Sequence, residues 1–89
     1  MNKNTTIDVA KRLINEDRHN AYGNATDNFD NIAARWSQLL NIKVESYQVG
    51  IMMADLKIAR MISSATSDCF VDAIGYLALA AEVKEVTNK

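Results

Sequence analysis

The stretch TDNFDNIAARWSQLLN, residues 26–41, decides the fold. Phe29, Ile32, Ala33, Trp36, Leu39 and Leu40 recur through it at spacings of three, one, three, three and one, which stacks them on one face of an α-helix. Asp30, Asn31, Arg35 and Gln38 fill the other face. Thr26 or Asp27 can open this helix, and Asn41 can close it in a left-handed C-cap. Trp36 continues the Phe29–Ala33 stripe and reads as core, where an aromatic ring buries a large area.

The same period extends outward. Downstream, Val49, Met52, Met53, Leu56, Ala59 and Ile62 predict a helix over residues 46–63. Ser63-Ser64-Ala65-Thr66-Ser67 reads as a loop, with Ser67 capping a further helix and Asp68 at its positive end. That helix carries Phe70, Val71, Ile74, Leu77, Ala78 and Ala81 and fades near Val86. Gly75 lies in its interior at a cost of about 1 kcal/mol relative to alanine; a closely approaching helix or ligand would account for it. Upstream, Thr5 or Thr6 caps a shorter helix whose stripe is Ile7, Ala10, Leu13 and Ile14. It ends around residues 18–20, and Gly23 with its neighbouring asparagines marks a turn. The fold class is therefore all-α: a small bundle of about four helices in one domain, residues 1–89, with an ordered core from about 6 to 86.

A chain of 89 residues is marginal as an isolated domain. Its single cysteine, Cys69, allows no internal disulfide, and no Cys/His cluster suggests structural zinc. Self-association is the expected support, so a homo-oligomer is predicted. Ten basic and 11 acidic residues give a net charge of −1, which offers no electrostatic basis for a nucleic acid polymer or a membrane surface as partner. No apolar run is long enough to span a bilayer. Residues 1–6 are polar and lack a signal-peptide core, so cytoplasmic residence is expected.

Four features exceed the needs of a core. Arg18, His19, Tyr22, Asn28 and Phe29 concentrate a guanidinium, an imidazole, amides and aromatic rings around one connection. Arginine suits bidentate phosphate contacts and an aromatic ring can stack on a base; the same stretch also reads as a helix-ending turn with solvated polar groups. Lys57 and Arg60 share a helix face, as phosphate contacts or as snorkelling side chains. Asp68, Asp72 and Tyr76 stack at four-residue spacing along the last helix. Asp72 can orient a ligand hydroxyl or form an ion pair with Lys57 or Arg60, because an unpaired carboxylate at a core border is costly. Cys69 reads as a small apolar residue, and His19 alone supports no nucleophilic geometry.

These residues carry a resemblance. Arg18-His19-Asn20-Ala21-Tyr22-Gly23, then Asn28-Phe29, Ile32-Ala33 and Trp36-Ser37, followed by Met52-Met53, Leu56-Lys57-Ile58-Ala59-Arg60, Asp68 and Val71-Asp72-Ala73-Ile74-Gly75-Tyr76, looks like a phage and prophage family of uncharacterised small proteins. It covers residues 7–82. Similar Tyr-Gly and Asp-x-x-x-Tyr elements occur in nucleotide-modification-associated domains. More distantly the chain is similar to MazG-like all-α nucleoside triphosphate pyrophosphohydrolases, whose carboxylate clusters hold magnesium. Asp68 and Asp72 resemble one such motif at a spacing of four rather than three, and the helix before them has Asp55 but no glutamate cluster.

The resemblance implies a phage origin, hence the host cytoplasm, and nucleotide biology. The expected role is a nucleotide-like small molecule held without cofactor or turnover, in the manner of phage sponges for host immune signalling nucleotides. The ligand-binding set is Arg18, His19, Tyr22, Asn28, Phe29, Lys57, Arg60, Asp68, Asp72 and Tyr76. A divergent magnesium-dependent pyrophosphohydrolase is the first alternative. A protein-interaction module using Met52, Met53 and Met61 is the second.

Overall fold

The computed structural model describes the backbone of residues 1–87 and their side chains except those of Ala21, Tyr22 and Thr87. Among the described residues every regular element is helical: α1 (Lys3–Arg12), a π turn (Leu13–Asp17), α2 (Arg18–Tyr22), α3 (Ala25–Leu40), α4 (Ser46–Arg60) and α5 (Ser67–Thr87). The all-α reading holds, with one correction at the start. Arg12, Asp17 and Arg18 keep right-handed helical angles, so α1, the π turn and α2 run on as one rod. The helix end expected around residues 18–20 is thus displaced to Tyr22, while the turn expected at Gly23 is there, with a φ of +76° that suits glycine. The first helix is therefore a long one that lies along α5.

Caps set the starts of the helices. The Asn2 side chain accepts from the Thr5 N–H at 2.8 Å, so the cap precedes the expected Thr5 or Thr6. Asn24 accepts from the Thr26 N–H at 2.8 Å and the Asp27 N–H at 3.3 Å, which starts α3 slightly earlier than expected. Thr66, one residue before the expected Ser67, accepts from the Cys69 N–H at 3.4 Å. Asn41 closes α3 at φ 57°, ψ 37°, the left-handed cap expected of it. Losing a side-chain N-cap costs about 1 kcal/mol. Asn24→Ala is accordingly expected to lower the melting temperature by about 4–8 °C, read by thermal circular dichroism.

The core gathers Phe29, Ala33, Val44, Val49, Leu79 and Val83, with Ile14, Ile32, Trp36, Tyr47, Met53 and Tyr76 packed around it. Trp36 is half-buried against the core, as its spacing predicts. Gly50 lies against Ala80 while Lys57 reaches Asp72, so α4 and α5 run antiparallel. A Cβ on Gly50 would lie 2.7 Å from the Ala80 Cβ, 2.9 Å from the Tyr76 carbonyl oxygen and 3.0 Å from Phe29 Cε2. Glycine thus lets the two helices and the Phe29 ring meet at one point. The α3–α4 connection is pinned by Ser37, whose hydroxyl accepts from the Val44 N–H at 2.8 Å, and by a hydrogen bond from Ser46 to Asp30. The Lys84 ammonium sits 4.1 Å over the Tyr47 ring and ties the end of α5 to the start of α4.

Several predicted core faces point outward. Leu39 and Leu40 of α3 are exposed, as are Met52, Leu56 and Ala59 of α4 and Ile62 in the turn after it. On α5, Phe70, Ile74, Leu77, Ala78 and Ala81 are exposed. Val49 and Val71 are buried as expected, and the other buried positions are Gly50 and Ala54 on α4, and Ala73, Gly75, Leu79, Ala80 and Val83 on α5. Both helices are apolar around most of their circumference, so periodicity cannot say which side meets a neighbour. The small residues decide, because Gly50, Ala73 and Ala80 allow the closest backbone approach. Ile7 of α1 is likewise exposed.

Candidate functional site

Where the rod crosses α5, its hydrogen bonding widens. The Arg18 N–H bonds to the Leu13 carbonyl, five residues back, which is the π pattern. Such turns are uncommon and recur at functional sites. Here the turn borders a cleft of about 250 Å³. Leu13, Ile14, Asp17 and Arg18 form one wall, and Val71, Asp72, Gly75, Tyr76 and Leu79 of α5 form the other. A Cβ on Gly75 would come within 3.0 Å of Ile14 Cγ2. The close approach expected at Gly75 is therefore that of the rod, and it shapes the cleft wall.

Three of the predicted site residues, Arg18, Asp72 and Tyr76, line this one cleft. Arg18 donates to the Asn28 side-chain oxygen at 2.7 Å, and its guanidinium carbon lies 5.3 Å from the centroid of the Phe29 ring. Asn28 and Phe29 thus hold the guanidinium from beneath. Phe29 itself is fully buried, so it supports Arg18 instead of offering a stacking face. Across the cleft, the Lys57 ammonium meets the Asp72 carboxylate at 3.3 Å. With side chains 18% and 36% exposed, the pair contributes little to stability, about 0–1 kcal/mol. Its effect is local: it fixes the carboxylate at the cleft and brings a second cation beside it.

The remaining predicted residues lie elsewhere. His19 is exposed and faces a neighbouring depression beside the start of α3. Arg60 is exposed near the end of α4, and Asp68 is exposed in the first turn of α5; neither lines the cleft. The Tyr22 side chain lies outside the described residues. Asp55 is exposed on α4. No three His, Cys, Asp or Glu side chains among the described residues are grouped to hold a metal ion. The carboxylates present therefore do not fit the several oxygen ligands that magnesium demands.

Sequence reasoning missed Leu13, Ile14, Asp17, Val71 and Leu79 as cleft residues. Gly75 was the available signal, since a glycine inside a helix marks a close neighbour; nothing in the pattern announced the π turn. A larger, shallow depression of about 500 Å³ lies between the starts of α1 and α5. It offers Lys3, Thr6 and Ser67 among apolar residues, with no carboxylate or guanidinium.

Residues 5–84 match the model of a family described as a domain of unknown function, DUF6378. The chain is 31% identical over 80 residues to the Gene 55 protein of Mycobacterium phage D29. That alignment takes in 89% of the chain and 53% of the relative, so the chain spans about half the length of the curated relative it matches. No solved structure matches the chain. The expected likeness to a phage family of uncharacterised proteins is borne out. No helix among the described residues is long and apolar enough to cross a membrane.

Proposed function

The chain belongs to the DUF6378 family, and we propose that it binds a nucleotide-like small molecule in the cleft between the π turn and α5, holding it without turnover. The supporting observation is the convergence of Arg18, Asp72 and Tyr76 on an apolar floor of Leu13, Ile14, Val71 and Leu79. Small-molecule sites combine an apolar lining with a few placed polar groups. The cleft's 250 Å³ lies just below the usual range of about 300–1,000 Å³ and suits a base and sugar, leaving phosphates at the mouth.

Each wall then has a task. The planar guanidinium of Arg18, held by Asn28 and Phe29, meets phosphate or carboxylate oxygens. Asp72 accepts from a sugar hydroxyl, and Lys57 offsets its charge so that an anionic ligand is not repelled. Tyr76 supplies a ring edge and a hydroxyl. Retention fits this residue set better than hydrolysis, because the carboxylates do not group around a metal position. A phage protein of this kind would act as a sponge, lowering the free concentration of a host signalling nucleotide.

The test incubates the protein with mono-, di- and cyclic nucleotides and ADP-ribose derivatives, with magnesium present. Unbound ligand is removed, the protein is heat-denatured, and the released material is analysed by HPLC. An intact nucleotide is expected, with its affinity reduced at least about tenfold, or about 1.4 kcal/mol, in Arg18→Ala and in Asp72→Asn. Unchanged affinity in both folded variants would place the ligand elsewhere. Magnesium-dependent product would return the pyrophosphohydrolase reading, and no bound nucleotide at all would sink the proposal.

A further inference from the structure

The outer face of the α4–α5 hairpin lies opposite the core, and at its Phe70 and Ile74 end it borders the shallow depression shared with the start of α1. Helical spacing sets Ile51 and Ile58 on the side of α4 away from Val49, and Phe70, Ile74, Leu77 and Ala81 on the side of α5 away from Leu79 and Val83, while Ile62 stands exposed in the turn that follows α4. All of these residues are exposed; Met52 and Leu56 are exposed too, but stand three and seven residues from Val49 and so lie on its side of α4, off this face. Asp55 is the charge at its centre and Glu85 stands at its edge.

We infer that this face is covered by a second copy of the chain, so that two α4–α5 hairpins close into a four-helix bundle. Two quantities describe an open chain, and a third sizes the face for that occupant. First, the chain exposes 6171 Å², whereas a folded monomer of its mass exposes about 5,200 Å² by the usual scaling. Second, its radius of gyration is 13.5 Å, against about 12 Å for a compact domain of this length. Third, a fully exposed large side chain presents roughly 150–250 Å². The exposed fractions of Ile51, Ile58, Ile62, Phe70, Ile74 and Leu77 then amount to on the order of 600 Å², which is each partner's share at the lower end of specific interfaces.

The chemistry of the face agrees. It carries no lysine or arginine stripe, which an amphipathic helix needs to lie on an anionic bilayer. Two antiparallel apolar helices are self-complementary under a two-fold axis, the commonest symmetry of homo-oligomers. Asp55 requires that the axis lie off its position, because two carboxylates facing each other would repel. The cleft opens on the opposite side of α5, so each copy keeps its own site. The interface and the ligand site can therefore fail separately.

Sedimentation equilibrium at tens of micromolar tests the inference. Wild-type chain is expected at twice the monomer mass. Ile58→Glu and Leu77→Glu are each expected to sediment as monomers with helical circular dichroism retained. Leu39→Glu, which alters an equally apolar side chain off this face, should leave the mass doubled. Should a glutamate variant lose its helical signal, the Ile58→Ala/Leu77→Ala double variant replaces it, with dissociation raised about tenfold or more. A monomeric wild type overturns the inference, including one that recruits a different protein through this face. An assembly indifferent to Ile58 and Leu77 but broken by Leu39→Glu overturns it as well.

Discussion

Replacing Phe29 by alanine is expected to cost about 3–5 kcal/mol and to lower the melting temperature by about 15 °C or more. Phe29 is 1% exposed and is the largest of the fully buried side chains. Its ring fills the space beside Gly50 and underlies the Arg18 guanidinium. Gly50, beside the ring, has no side chain to fill the vacated volume, so a cavity term adds to the lost transfer energy. Loss of the guanidinium–ring contact adds about 0.5–1 kcal/mol. For a chain of this size the total is a large share of the whole stability, which runs at about 0.05–0.15 kcal/mol per residue. Urea denaturation should show the midpoint falling with the slope unchanged. A loss below about 1.5 kcal/mol, the range of well-tolerated apolar swaps, would mean that Phe29 is not the keystone of the α3–α4–α5 junction.

The second expected result has the sign opposite to helix propensity. Glycine to alanine in a helix interior ordinarily gains up to about 1 kcal/mol. At Gly50 the new Cβ would meet the Ala80 Cβ, the Tyr76 carbonyl oxygen and the Phe29 ring, all at 3.0 Å or less. Two of these, a Cβ and a backbone carbonyl, cannot swing aside, so α4 must move off α5. Overpacking of this kind costs about 1–3 kcal/mol, and Gly50→Ala should lose close to the upper figure. Gly75 provides the control. Its new Cβ would meet only Ile14 Cγ2 at 3.0 Å, a single methyl contact that a shift of a few tenths of an ångström relieves. Gly75→Ala should therefore change stability by less than about 1 kcal/mol. If the two variants melted alike, the account of the α4–α5 contact would be wrong.

The contrast between these two glycines shows what could be read from the chain. The period of Phe29, Ile32, Ala33 and Trp36 identified α3 and its buried face. Asn41 announced its own left-handed cap, and Gly75 announced a neighbour. On α4 and α5 the period was uninformative, because apolar side chains run almost all the way round. There the choice of face rests on where Gly50, Ala73 and Ala80 allow close approach, a tertiary fact with no local signature. The residues that read as core but lie exposed, such as Ile62 and Leu77, form the proposed contact with a second copy.

The site was legible in part for a similar reason. Arg18, Asp72 and Tyr76 stood out by chemistry, and they share the cleft. Asn28 and Phe29 stood out in the same motif, yet they position Arg18. Lys57 met Asp72 as an ion pair, while Arg60, His19 and Asp68 fell outside the cleft. What joined the two halves was the π turn. It runs the rod on past the end expected around residues 18–20 to the turn at Gly23, and no local rule announced it.

The most direct test of the cleft is a proton–nitrogen correlation spectrum of the labelled chain, titrated with AMP, a cyclic dinucleotide and ADP-ribose. Saturable shifts centred on the amides of Ile14, Arg18, Asp72, Gly75 and Tyr76, and lost in Arg18→Ala, are the predicted result. Saturable shifts confined to Lys3, Thr6 and Ser67, or a spectrum unmoved by all three nucleotides, would contradict it.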